Sequence, residues 1–158
     1  MFFTGAIGPT FFGVNRDVRF IDRERARIGL DFGYHFSGDM EGPAIGANIG
    51  QVISGDEIYI FSPTFKFWWD IQPVDDLGLY IAPFAKAGYA GVFCDDGPFD
   101  FCPGHAFNFG FGVEGRLVLG DRGLVLFRPL QFDNYLGDFL NETFWLDYSA
   151  SIGGGVIF

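Results

Sequence analysis

The sequence predicts an all-β fold, an eight-stranded antiparallel up-and-down barrel that crosses a membrane, with residues 1–158 as a single domain. Three observations carry this. The run from Phe144 to Phe158, FWLDYSASIGGGVIF, alternates over a length well beyond most strands of soluble proteins. The composition is 49% apolar and 20% aromatic, with 22 Phe, yet it contains no apolar stretch long enough for a spanning helix. Clusters of turn formers divide the rest of the chain into segments of strand length. Hydrophobicity of this degree without a spanning helix leaves a large soluble β core or a barrel whose apolar face lies in lipid.

The segments follow in order. The first covers about Phe3 to Val14. The second, Ala26 to Phe36, sets Ile28, Leu30, Phe32, Tyr34 and Phe36 against Arg27, Gly29, Asp31, Gly33 and His35. Successive side chains of a strand point to opposite faces, so this pattern separates an apolar face from a polar one. The third covers about Pro43 to Ile53. The fourth, about Glu57 to Ile71, opposes Phe61, Phe65, Phe67 and Trp69 to Ser62, Thr64, Lys66 and Asp70. The fifth covers about Leu77 to Phe93. The sixth, His105 to Leu119, opposes Phe107, Phe109, Phe111, Val113, Leu117 and Leu119 to Asn108, Gly110, Gly112, Glu114 and Arg116. The seventh, about Gly123 to Asp133, alternates least clearly, and the eighth is the closing run. Pro63, Pro83 and Pro129 fall inside segments. Each removes a ladder donor and is expected to mark a bulge or local irregularity.

Short connections (SGDMEG, QPVDDL, GDRG) alternate with longer ones (NRDVRFIDRER, CDDGPFDFCPG, NYLGDFLNET), apart from a brief SGD between the third and fourth segments. Short periplasmic turns and longer outer loops are the asymmetry of outer-membrane barrels. With both chain ends periplasmic, Phe2, Phe3, Tyr34, Phe36, Trp68, Trp69, Tyr80 and Phe158 are expected near one rim. Phe12, Phe93, Phe107, Phe144 and Trp145 are expected near the other, as two interfacial bands.

The closing run, with apolar residues at every second position and Phe158 at its end, resembles the last strand of bacterial outer-membrane barrels. In that group this strand is the recognition signal for the barrel-insertion machinery. Over its full length the chain resembles the small eight-stranded group that contains the OmpA transmembrane domain and OmpX. The resemblance implies a Gram-negative outer-membrane location, contact with outer-membrane lipid, and a polar, plugged interior. No peptidoglycan-binding segment follows the barrel, so that OmpA function is not carried over. The start, Met1-Phe2-Phe3, carries no positive charge and does not read as a signal peptide. The numbering is therefore expected to be that of a mature or engineered chain.

If the apolar faces meet lipid, the opposite set lines a narrow lumen: Arg27, Asp31, His35, Lys66, Asp70, Lys86, Glu114, Arg116, Arg128 and Asp147. Unpaired buried charge is costly, so these groups are expected to pair. Adjacent strands suggest Lys86 with Glu114, Arg128 between Glu114 and Asp147, and a carboxylate between Lys66 and Lys86. A proton or ion path is the functional alternative. Pairing across so small an interior opposes it.

Cys94 and Cys102 flank a short loop-like segment and are expected to form a disulfide in an oxidising compartment. The loop between them would present Phe99 and Phe101 to a protein partner. A formal net charge of −10 argues against nucleic acid. Asp95, Asp96 and Asp100 lack the spacing of a calcium loop, and two cysteines are too few for structural zinc, so no metal or cofactor is expected. Gly153-Gly154-Gly155 is followed by neither a helix nor a lysine and is no phosphate loop. The best catalytic constellation, His105 with Ser149 or Asp147, spans non-adjacent strands, and catalysis is not expected. The sequence thus points to a non-enzymatic outer-membrane barrel with a charged, plugged lumen. Its outer loops would serve partner binding, adhesion or envelope integrity. The alternative is an OmpW-like conduit or a lipid-modifying enzyme, and a conduit calls for an apolar lumen end and a lateral gap.

Overall fold

The computed structural model describes residues 1–14, 25–37, 40–54, 58–74, 77–94, 104–139 and 142–158. Eight strands run β1 (Phe2–Val14), β2 (Arg25–His35), β3 (Gly42–Ser54), β4 (Ile58–Asp70), β5 (Leu79–Cys94), β6 (Gly104–Leu119), β7 (Gly123–Phe139) and β8 (Glu142–Ile157). Every neighbouring pair is antiparallel, and β1 pairs with β8, so the sheet closes into a barrel with no free edge. The described residues contain no helix.

Alternation of side chains produces the two faces. In β6 the residues of the Gly104–Gly110 stretch alternate buried and outward, and Glu114 and Arg116 continue the buried row. In β2 the buried row is Arg27, Gly29, Asp31, Gly33 and His35. Exposed apolar side chains ring the barrel, among them Phe32 on β2, Phe65 on β4, Phe107 on β6, Phe127 on β7 and Ile152 on β8. Charge lies inside and hydrocarbon outside, the reverse of a soluble barrel.

One end holds both chain termini, where the Phe158 amide donates to the Met1 carbonyl at 2.9 Å. The same end holds the turns at residues 36–41, 71–78 and 120–122. Gly42, Gly78 and Gly120 adopt positive φ of 95°, 60° and 61° there, a conformation that costs glycine little. At the opposite end the strands are joined by residues 15–24, 55–57, 95–103 and 140–141. The long seventh-to-eighth connection read from the sequence is therefore corrected. β7 continues to Phe139 and β8 starts at Glu142, so two of the four loops are long rather than three.

The prolines divide. Pro129 sits where the ladder slips, between Arg128 and Gln131 against β8, and opposite the Val113/Gly115 shift of β6. The extra residue there reverses the parity of β7: Leu124, Leu126 and Arg128 are buried before it, and Gln131, Asp133 and Tyr135 after it. Pro63 and Pro83 instead lie in ladders of constant register, paired with Ile49 and Val113. One missing donor is absorbed there because the flanking pairs hold the strand in place.

The lumen is filled in tiers. At the turn end Phe2, Ala44, Trp68, Ala82 and Phe84 form an apolar cluster. At the loop end Val52, Ile60, Ala90, Val92, Ala106, Tyr135 and Trp145 form another. Phe2, Trp68 and Trp145 thus point inward and do not join rim bands. Trp68 shares the parity of Lys66 and Asp70, and its ring is wholly buried. Glycines on facing strands make the space. A Cβ at Gly33 would lie 2.1 Å from the Phe2 ring, and one at Gly112 would lie 2.6 Å from the Phe84 ring.

Gly33→Ala should therefore unseat Phe2 and lower stability by about 1–3 kcal/mol, the usual cost of overpacking. Urea unfolding in detergent micelles measures this. Combining it with Phe2→Ala should add little to the loss from Phe2→Ala alone, because the clash is then gone.

Candidate functional site

Between the two apolar tiers lies a network of ionisable side chains. Five buried basic side chains, Arg27, Lys66, Lys86, Arg116 and Arg128, meet five buried carboxyl groups, Asp31, Asp70, Glu114, Asp133 and Asp147, so the two kinds are matched in number. β6 brings Glu114 to the centre. Its Oε2 accepts from Arg128 Nη2 at 2.6 Å and from Lys66 Nζ at 3.2 Å, and its Oε1 accepts from Arg116 Nε at 2.8 Å. Asp31, across the lumen on β2, accepts from Arg128 Nη2 at 2.7 Å and from Lys66 Nζ at 3.1 Å. Asn48 supports it with a 2.8 Å bond to the other carboxylate oxygen.

Toward the turn end, Arg116 Nη1 donates to both oxygens of Asp70, at 2.9 and 3.0 Å, and His35 Nε2 lies 2.9 Å from Asp70 Oδ2. Toward the loop end, Arg27 Nη1 bridges Asp133 at 2.7 Å and Asp147 at 2.8 Å. Lys86 meets Asp133 at 2.7 Å, and the Thr10 hydroxyl donates to Asp147. Gln131 joins the halves, accepting from Arg128 Nη1 at 3.1 Å and donating to Asp133 at 2.5 Å. The chain of contacts is continuous from His35 to Thr10.

The aromatic tier bears on the same cations. The Arg116 guanidinium lies 4.4 Å from the Phe2 ring centre, Lys66 Nζ lies 4.0 Å from that of Phe84, and Arg128 lies 5.2 Å from it. These ring faces are attractive to cations and exclude water from the turn-end mouth.

The ten lumen residues named from the sequence are all buried in this network. Their pairing differs in part. Lys86 meets Asp133, not Glu114; Arg128 meets Glu114 as expected, but its second carboxylate is Asp31, not Asp147. Lys66 and Lys86 are cross-strand partners, yet each uses its own carboxylates rather than a shared one. Partners were sought on adjacent strands, whereas the interior is narrow enough for β2 to meet β4 and β7. Asp133, Gln131 and Thr10 were missed. The signal for Asp133 was Pro129, whose parity reversal turns that side chain inward.

The sequence-derived constellation of His105 with Ser149 or Asp147 is not assembled. His105 is exposed on the outside, hydrogen-bonded to Tyr89, whereas Ser149 and Asp147 are buried in the lumen. No group of three or more metal-ligating side chains occurs among the described residues. Cys94 ends β5. Its side chain lies outside the described residues, as do Cys102, Phe99, Phe101 and the acidic trio Asp95, Asp96 and Asp100. Phe158 is exposed at the turn end.

Glu114→Ala would strip Lys66, Arg116 and Arg128 of a shared acceptor and leave Lys86 on Asp133. Breaking a buried pair by removing one partner costs about 3–5 kcal/mol, and this change should fall in that range. The denaturation midpoint in micelles reads it.

The crystal structure of Neisserial surface protein A (NspA) has this fold. The TM-score is 0.80 over 99% of this chain and 96% of that one, at 7% sequence identity. At that identity the likeness is one of fold. No family model matches the sequence, and no match is found among curated proteins.

Proposed function

We propose that the protein is a non-enzymatic barrel of a Gram-negative outer membrane. In this reading ion pairs close its lumen, and the loops opposite the chain ends present the surface for partner binding, adhesion or envelope integrity. The observation that carries the proposal is the sorting of side chains: an apolar exterior on every face around an interlocked charged interior. Each strand has at least the 11 residues of β2, and about 9–11 residues suffice to cross a bilayer as a tilted strand. Likeness in fold to a surface protein supports the location. Phe158, exposed at the end of the apolar row of β8, fits the role of insertion signal for the barrel-assembly machinery.

A conduit for apolar compounds draws on a specific observation. The loop end of the lumen is apolar, and the β1–β2 ladder ends at Pro9–Ala26 while β1–β8 runs on to Val14–Trp145. The charged middle tier favours the closed barrel, because a permeant would have to separate paired charges.

The folded protein should run as a compact band in SDS until boiled, and planar-bilayer recording should show little or no steady conductance. Solubility without detergent would refute the membrane reading, and large stable channels would refute the closed lumen.

The disulfide remains part of the proposal. Cys94 ends β5 and Cys102 lies in the sequence between β5 and β6, which pair antiparallel, so the two cysteines flank the connection of neighbouring strands. Mass spectrometry of unreduced protein should find one intramolecular bridge. Two alkylatable thiols in protein taken from the outer membrane would exclude it.

A further inference from the structure

Two hollows lie one above the other along β3 and β4, the second extending to β5. The first, of about 350 Å³, opens at the turn end and is lined by Ser37, Glu41, Gly42, Trp69, Asp70 and Ile71. The second, of about 280 Å³, is apolar. Ala85 and Ala87 line it together with Ile45, Phe65 and Phe67, and with Lys66 and Lys86, whose ammonium groups are paired in the lumen. Outward residues of β4, Phe65, Phe67 and Trp69, and Ile71 just beyond it connect them. From the centre of the groove to the centre of the rim hollow is four residues, roughly 13 Å at strand spacing.

Their chemistry differs as the two ends of a lipid differ. At the rim, Trp69 presents half of its surface at the edge of the apolar belt, where indole rings sit at headgroup level. Glu41 is exposed beside it, with no ion pair to its carboxylate among the described residues. A carboxylate next to an indole face suits an ammonium ion, through charge and through the ring's negative face. Asp70, already committed to Arg116 and His35, closes the inner end without adding free charge. Above the rim, small residues on β5 leave a trough beside Phe65, which is 77% exposed and forms its wall. An acyl chain fits such a trough, and the 13 Å offset falls within the half-thickness of a bilayer core, about 15 Å.

We propose that this face is a site for one phospholipid with an ammonium headgroup, of the ethanolamine type. The ammonium sits between Glu41 and Trp69, and one acyl chain lies over Ala85 and Ala87. The proposal rests on the membrane-spanning reading, with the turn end in the periplasmic leaflet.

The test starts from the full chain in nanodiscs containing equal amounts of phosphatidylethanolamine and phosphatidylglycerol with identical chains. The protein is released into mild detergent, and native mass spectrometry identifies the lipid it retains. Wild type should retain the ethanolamine lipid over the glycerol lipid by about fivefold, the upper end for an exposed ion pair. Glu41→Gln should bring the ratio close to one. Ala87→Phe should fill the trough and lower total retention. Because Glu41 lies on an exposed turn, Glu41→Gln decides the matter whether or not Ala87→Phe folds. Equal retention by wild type, or an excess that survives Glu41→Gln, would overturn the site. Failure to enter bilayers of either lipid, seen as loss of the heat-shifted SDS band, would overturn the membrane reading instead. Normal insertion without a lipid preference refutes the site alone.

Discussion

Glu114 is the point on which the interior depends. One carboxylate receives Arg116 from its own strand, Lys66 from β4 and Arg128 from β7, and Asp31 receives two of the same cations from across the lumen. A closed barrel of eight strands has room for side chains and little water. Each charge placed there needs an opposite one within contact distance, and five against five meets that condition. Other features follow from it. The bulge at Pro129 sets Arg128 beside Glu114 and then turns Asp133 inward to meet Arg27 and Lys86. Gly110 provides room for this pair, since a Cβ there would lie 2.8 Å from Asp133 and 3.0 Å from Lys86. The rings of Phe2 and Phe84 then cover the cations on the turn side.

The wall obeys a second constraint, that no backbone group can be left unpaired in hydrocarbon. Closure through β1 and β8 meets it, and the seam explains Gly153 and Gly155 in the triple glycine of the last strand. A Cβ at Gly153 would lie 1.9 Å from the Gly5 carbonyl oxygen, and one at Gly155 would lie 2.0 Å from that of Phe3. Backbones approach there more closely than side-chain-bearing residues permit. The run that resembles a phosphate loop in composition is a packing device at the point of closure.

Much of this was legible in the sequence because a strand's parity is a local property. β2 and β6 alternate without interruption, so their faces and charges were read directly. β7 was not, since one extra residue at Pro129 divides it into halves of opposite parity, each too short to stand out. Trp68 was legible and misread: a ring near a strand end suggests an interfacial band, although its parity with Lys66 and Asp70 places it inside. The adjacent-strand pair of Arg128 with Glu114 was legible, and the partners across the lumen were not. Which second carboxylate Arg128 meets depends on the curvature that brings β2 opposite β7, and no adjacency along the chain encodes that.

The continuity of the network from His35 to Thr10 invites comparison with a proton relay, but its chemistry argues otherwise. Arg116, Arg128 and Arg27 occupy the links between successive carboxylates, and a guanidinium neither accepts a proton nor gives one up at ordinary pH. Those links hold carboxylates in place and interrupt transfer between them. The same planar groups bind at least two acceptors each, so moving one would disturb pairs on both sides. An interior tied in this way resists piecewise opening. If the barrel is closed as proposed, the loop end and the apolar wall are the surfaces on which it acts.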